Sequence, residues 1–135
     1  DVDHAELALS MIDAGYRPDM SVSESMGRPA ARVERGDVFF FVQGRDCGNG
    51  FCQGLLVLAN FELGRGVGAR DYEVTNAWND QNLRGRAYVL ASENVVGLDL
   101  FIDLRGGVER AHILLALGEF PDLLDEFVGF FGDNY

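Results

Sequence analysis

The chain has no lysine: all 11 of its basic residues are arginine, set against 22 acids for a formal net charge of −11. Nucleic acid is held chiefly by neutralising phosphates, so this balance, with no basic cluster, excludes DNA or RNA as a partner and argues against an anionic membrane surface. No apolar run approaches the roughly 20 residues of a spanning helix, so the reading is of a soluble chain without membrane insertion. The two histidines, His4 and His112, have no ligand-type neighbours in sequence, and no metal site is expected. A G-x-S-x-G nucleophile motif and a P-loop lysine are missing too. Gly64, Gly66 and Gly68 echo a nucleotide loop without its strand-helix context or glycine spacing. With neither nucleophile nor cofactor motif, the expectation is a non-enzymatic protein that carries no cofactor.

What is present suits one compact core. Hydrophobic residues make up 47% of the 135, with ten Phe, which is too apolar for a disordered segment. A chain of this size buries about two-thirds of its unfolded surface. Internal repeats, long linkers and low-complexity stretches are absent, so residues 1–135 read as a single domain.

Periodicity supplies the elements. A first helix over His4–Ala14 carries Ala5, Leu7, Ala8, Met11 and Ile12 at helical spacing, stopped by Gly15 and Pro18. Strands over 30–34, 38–43 and 51–61 form a meander. A second helix spans Arg70–Gln81, with Tyr72, Val74, Ala77 and Trp78. Strands over 83–91 and 95–104 follow; Val96, Leu98, Leu100, Ile102 and Leu104 share one face, and Asp99, Phe101 and Asp103 the other. A tight turn near Glu93 sets Arg86 opposite Asp99. The tail from Val108 buries Leu114, Leu117, Leu124, Phe127 and Phe131. Because Pro121 removes a backbone donor but suits a first helical turn, two segments are expected, near 108–118 and 121–131. The order αβββαββα predicts an α+β fold: a mostly antiparallel sheet covered by helices.

Within Cys47-Gly48-Asn49-Gly50-Phe51-Cys52, the Asn-Gly pair favours a type I′ hairpin turn that sets Cys47 across from Cys52. On a non-hydrogen-bonded rung the Cα atoms stand about 4.5 Å apart, within disulfide reach. A structural disulfide is favoured over free thiols, and more strongly over redox or zinc chemistry, because four intervening residues do not match C-x-x-C. Trp78 reads as a buried helix-face aromatic, with Asn76 and Asn79 capping or turning the chain. Asp122, Asp125 and Glu126 suit the positive end of the last helical segment. Asp99 and Asp103 read as ion-pair partners of Arg84 and Arg86 in preference to a catalytic acid and base. Phe101, on an otherwise acidic strand face, and Phe130, off the main stripe of the last helix, are the candidates for an interaction surface.

The run Asn76-Ala77-Trp78-Asn79, then Arg86-Ala87-Tyr88, an acid-bearing strand and Gly106-Gly107-Val108 resembles the YbjN family of bacterial sensory transduction regulators. Cys52 to Phe61 is similar to members thought to be exported, whereas Gln43-Gly44-Arg45-Asp46 departs from the aromatic-Gly-Cys form of such members. The resemblance implies a type III secretion chaperone-like fold and a regulatory or chaperone-like role, connected with stress responses and without accepted enzymatic activity. The expected partner is another protein or a second copy of the chain. The alternative is a small-molecule sensor with an apolar pocket between sheet and final helix. The cysteine pair, the exported relatives and a start at Asp1 without Met favour a periplasmic or secreted location, with the cytoplasm as the other case.

Overall fold

The computed structural model describes residues 4–20, 28–35, 38–48 and 51–133. Its elements are α1 (His4–Asp13), β1 (Ala30–Arg35), β2 (Val38–Gly48), β3 (Phe51–Glu62), α2 (Ala69–Gln81), β4 (Arg86–Leu90), β5 (Val95–Asp103) and α3 (Arg110–Asp133). The strands form a five-stranded antiparallel sheet of order β1-β2-β3-β5-β4. The α+β class and the αβββαββα order are as the periodicity predicts. β5, not β4, lies beside β3, so the segment holding α2 carries the chain to an outer strand before it returns. Two compact units share these elements: residues 1–57 with 101–119, and residues 58–100 with 120–135.

In the first unit, β1 and β2 pair antiparallel with Ala31 opposite Val42 and Val33 opposite Phe40. These four side chains are at most 3% exposed, as are Leu7 and Met11 of α1. Ile12 lies on the outside, 57% exposed, and Ser10 is buried instead. A three-turn helix can bury only a narrow stripe, and Leu7, Ser10 and Met11 fill it at spacings of three and four. β2 continues five residues past the expected end at Gln43. Asp46 takes a left-handed conformation within it (φ 52°), and the Gly44 amide donates to the Pro29 carbonyl at 2.7 Å. The Asn49-Gly50 turn lies outside the described residues.

The expected break at Pro121 does not occur. α3 is one helix from Arg110 to Asp133. Proline has no N–H for the carbonyl four residues back, which here belongs to Leu117, so an unanswered acceptor is left on a buried turn. The Tyr16 hydroxyl donates to that carbonyl at 2.7 Å, and its ring meets Phe40 edge-on at 5.6 Å. A side chain 101 residues away thus fills the vacancy, and Pro121 itself is buried. The acids Asp122, Asp125 and Glu126 therefore sit in mid-helix, and the helix-start dipole assigned to them does not exist there.

In the second unit, α2 buries Val74 and Trp78, each 2% exposed. The Trp78 ring packs edge-on against Phe127 at 5.2 Å and Phe130 at 5.5 Å, and Phe61 also reaches Phe127. Leu117, Leu124 and Phe127 are buried as expected, whereas Leu114 and Phe131 are only partly so; Phe120, at 0% exposure, fills a core position that the spacing did not assign. β4 starts at Arg86, three residues later than expected, and Leu83 is wholly exposed in the preceding loop. A 3-10 turn over Ala91–Glu93 and Asn94 in left-handed conformation (φ 55°) join β4 to β5. Among the described residues, no helix is long and apolar enough to cross a membrane.

Candidate functional site

Two of the segments that carry the family resemblance, Asn76–Asn79 and Arg86–Tyr88, meet at β4 in the second unit. The free edge of an outer strand presents unpaired amides and carbonyls, and here α2 closes it. The Asn79 side-chain amide behaves as a one-residue strand: its Oδ1 accepts from the Ala87 N–H at 2.8 Å, and its Nδ2 donates to the Ala87 carbonyl at 3.0 Å. The Trp78 indole N–H donates to the Gly85 carbonyl at 2.9 Å. Asn82 Nδ2 donates to the Trp78 carbonyl at 3.0 Å and finishes the helix. Asn76, in contrast, is exposed.

On its other side β4 pairs with β5, with Arg86 opposite Asp99 as the alternation predicts. The Arg86 guanidinium grips the carboxylate through Nε at 3.1 Å and Nη2 at 2.5 Å; Asp99 is almost buried while Arg86 remains largely exposed. Tyr88 stands opposite Gly97, and its ring occupies the space a β-carbon there would need. The Tyr88 hydroxyl bonds Asn60. Burial first, and the Asp99 carboxylate second, push the Tyr88 phenol up to about 12, so it stays a neutral donor. Asp103, expected beside Arg84 or Arg86, instead pairs with Arg105 at 2.9 Å. Hydrogen bonds from that guanidinium lower its pKa to about 2. Asp99 and Asp103 are therefore held in separate ion pairs, not paired as acid and base. His112 is exposed on α3.

The loop before α2 is fixed similarly. Asp71, fully buried, accepts two bonds from Arg65, at 2.8 and 2.9 Å, and one from the Gly68 N–H at 2.8 Å. The Arg65 bonds hold the carboxyl below its ordinary value against the upward push of burial. The glycine loop at 64–68 is thus a helix-capping device.

The first unit holds its aromatic side chains differently. Phe39 and Phe41 alternate with the buried Phe40 and Val42, so they occupy the side of β2 turned away from the core. Phe39 is 43% exposed. Their rings meet at 5.7 Å, and Arg32, whose guanidinium lies 4.2 Å from the Phe39 ring centroid, pairs with Glu34 at 2.9 Å. Phe101 is 51% exposed, while Ile102 and Leu104 beside it are 3% and 2%. The Phe101 ring lies over Gly54, where a β-carbon would collide with it. Of the two candidate contact residues, Phe101 thus offers an open ring, and Phe130 is partly covered against Trp78. Phe39 escaped the sequence reading, although its alternation with Phe40 and Val42 was the available signal.

Cys47 and Cys52 form a disulfide with Cα atoms 3.9 Å apart; Cys47 is exposed and Cys52 fully buried. The two sulfurs lie over Gly44, which any larger residue would displace. A cleft of about 520 Å³ opens between the end of α1 and β1, lined by Tyr16, Arg17, Asp19, Arg32 and Glu34 among others. Its lining is of mixed charge, unlike the apolar pocket between sheet and final helix that the small-molecule alternative requires. Among the described residues, no three metal-ligating side chains cluster.

The sequence profile of the YbjN family, described as "Putative bacterial sensory transduction regulator", matches residues 3–133. The crystal structure of YbjN from E. coli, titled "a putative transcription regulator", superposes with a TM-score of 0.64 at 12% identity, covering 86% of this chain and 81% of that one. At that identity the likeness speaks for the fold alone. No curated protein sequence matches the chain significantly.

Proposed function

The chain belongs to the YbjN family, and we propose that it is a non-catalytic regulator that acts by binding protein through the outward-facing side chains of β2 and of the end of β5. The observation that carries this reading is the aromatic surface of Phe39, Phe41 and Phe101, with two half-exposed rings on strands whose alternate residues are buried. Solvent-exposed aromatic clusters are costly to maintain and are enriched where proteins meet. The polar groups of the second unit support the same reading from the other direction. Asp71 and Asp99 are each neutralised by an arginine, and Tyr88 is held protonated, so these groups stabilise the fold instead of waiting for a substrate. A disulfide between Cys47 and Cys52 suits an oxidising compartment, and the periplasm or exterior is the location we propose.

The test is affinity capture from the source cell with the wild-type chain, Phe39→Glu and Phe101→Asp as baits, and Tyr72→Glu, at an exposed position of α2, as a control. The partners retained by wild type and control are expected to be lost from both sheet variants. Retention of every partner by folded Phe39→Glu and Phe101→Asp would remove this surface from the account.

A further inference from the structure

The cleft of about 520 Å³ stands where the ladder along the outer edge of β1 stops short. The extended segment after α1 joins that edge at one point, where Asp19 and Arg32 exchange backbone bonds at 2.8 and 2.9 Å. Backbone groups of alternate residues on a strand face opposite sides. Arg32 thus directs its N–H and C=O away from β2, and so does Glu34, which lines the cleft. Two residues back along the antiparallel segment, Arg17 would stand opposite Glu34, yet among the described residues no backbone bond joins the two. The exit of α1 explains the gap. Gly15 takes a left-handed conformation (φ 93°), the Tyr16 N–H returns to the Met11 carbonyl at 3.0 Å, and the Tyr16 hydroxyl is held at the Leu117 carbonyl. The chain is pinned away from β1 until Asp19, so a donor and an acceptor of Glu34 stand side by side in a wall that is already built.

The charges around this gap select its occupant. Arg17 and Arg32 line it together with Asp19 and Glu34, a local balance of zero in a chain of net charge −11. Arg32 is engaged, bonded to Glu34 and set over the Phe39 ring, whereas Arg17 has no ion pair among the described residues. A simple cation finds more acid on the helices, which carry ten acids against two arginines. A simple anion is repelled by the chain as a whole and meets carboxylates beside the arginines. A small zwitterion answers both signs at once. We propose that the cleft binds a free α-amino acid. Such a molecule is a strand residue with charged ends: its ammonium donates to the Glu34 carbonyl, and its carboxylate accepts from the Glu34 N–H and lies against Arg17. The volume falls within the roughly 300–1,000 Å³ of small-molecule sites and leaves room for the ligand's side chain. This site is separate from the aromatic contact surface and does not depend on it.

Calorimetric titration of the full chain with each common amino acid in turn tests this, with thermal melts to show that every variant is folded. At least one amino acid is expected to bind at a single site. Acetylating its amine removes the cation and amidating its carboxyl removes the anion, and each change should raise the dissociation constant at least about tenfold. Arg17→Ala should do the same without lowering the melting temperature. Glu34→Pro deletes the N–H that faces away from β2, a position an edge strand tolerates, and should bind at least about tenfold more weakly than Glu34→Ala, which keeps both backbone groups. Should Glu34→Pro unfold, Arg17→Ala still decides. Failure of every amino acid to bind at millimolar concentration would overturn the proposal. So would an acetylated or amidated ligand that binds as tightly as the free one, or unchanged affinity in Arg17→Ala.

Discussion

Each unit places an aromatic ring over a glycine on a neighbouring strand, and the two rings are treated in opposite ways. In the second unit Tyr88 covers Gly97, bonds Asn60 through its hydroxyl and lies beside the Arg86–Asp99 pair. Its strand edge is closed by Asn79 and Trp78. In the first unit Phe101 covers Gly54 with no polar handle, half exposed, and Phe39 is likewise open. The contrast separates scaffold from surface. At β4 polar groups bond one another and the strand is latched; on β2 and at Phe101 apolar surface is left to face outward.

The largest way to break the contrast is to remove the latch. Trp78→Ala deletes a side chain 2% exposed, together with its contacts to Phe127 and Phe130, and is expected to lose about 3–5 kcal/mol in chemical denaturation. Phe101→Ala, cutting away a ring already half in solvent, should lose markedly less; equal losses would erase the distinction. Asn79→Ala opens the β4 edge at Ala87 and is expected to cost about 1–2 kcal/mol, with faster amide exchange at Ala87 as its local mark. Unchanged exchange there would show that the latch does not hold the edge.

A smaller effect sharpens the account of α3. Tyr16→Phe strands the Leu117 carbonyl and should cost about 1 kcal/mol. Pro121→Ala supplies an N–H to the same carbonyl, so it should be more stabilising in the Tyr16→Phe background than in wild type. Strict additivity in the double-mutant cycle would mean that the hydroxyl is not answering the missing proline donor. The last effect is read along the pH axis. The folded pKa of Asp71 lies below its ordinary 3.8, so its contribution is complete above that value and fades as pH falls through the folded one. Arg65→Ala removes the main cause of the depression and should move acid unfolding to higher pH. An unmoved acid transition would show that the pair does not stabilise the loop.

Much of the architecture was legible because local patterns agreed with the global fold: alternation gave β5 and the Arg86–Asp99 register, and helical spacing placed Trp78 in the core. The failures are all cases of tertiary override. Pro121 breaks a helix by local rule, and only Tyr16, far away in sequence, makes continuity affordable. The expected strand ends at Gln43, yet β2 runs on through Gly44-Arg45-Asp46, and Gly44 lies beneath the sulfurs of a disulfide. The role of Asn79 as a strand surrogate depends on where α2 meets β4, which no spacing encodes. Of the candidate surface, Phe101 was readable from its acidic neighbours. Phe39 was lost in a run of three phenylalanines, where the exposed and buried members look alike.

The central claim, that the first unit's aromatic face is for contact and the second unit's is closed, is tested most directly by hydroxyl-radical footprinting read by mass spectrometry on the chain alone and in complex with a partner captured from the source cell. Oxidation of Phe39, Phe41 and Phe101 should fall in the complex while that of Tyr88 holds steady. Equal protection of Tyr88, or unchanged oxidation of all three phenylalanines, would contradict the account.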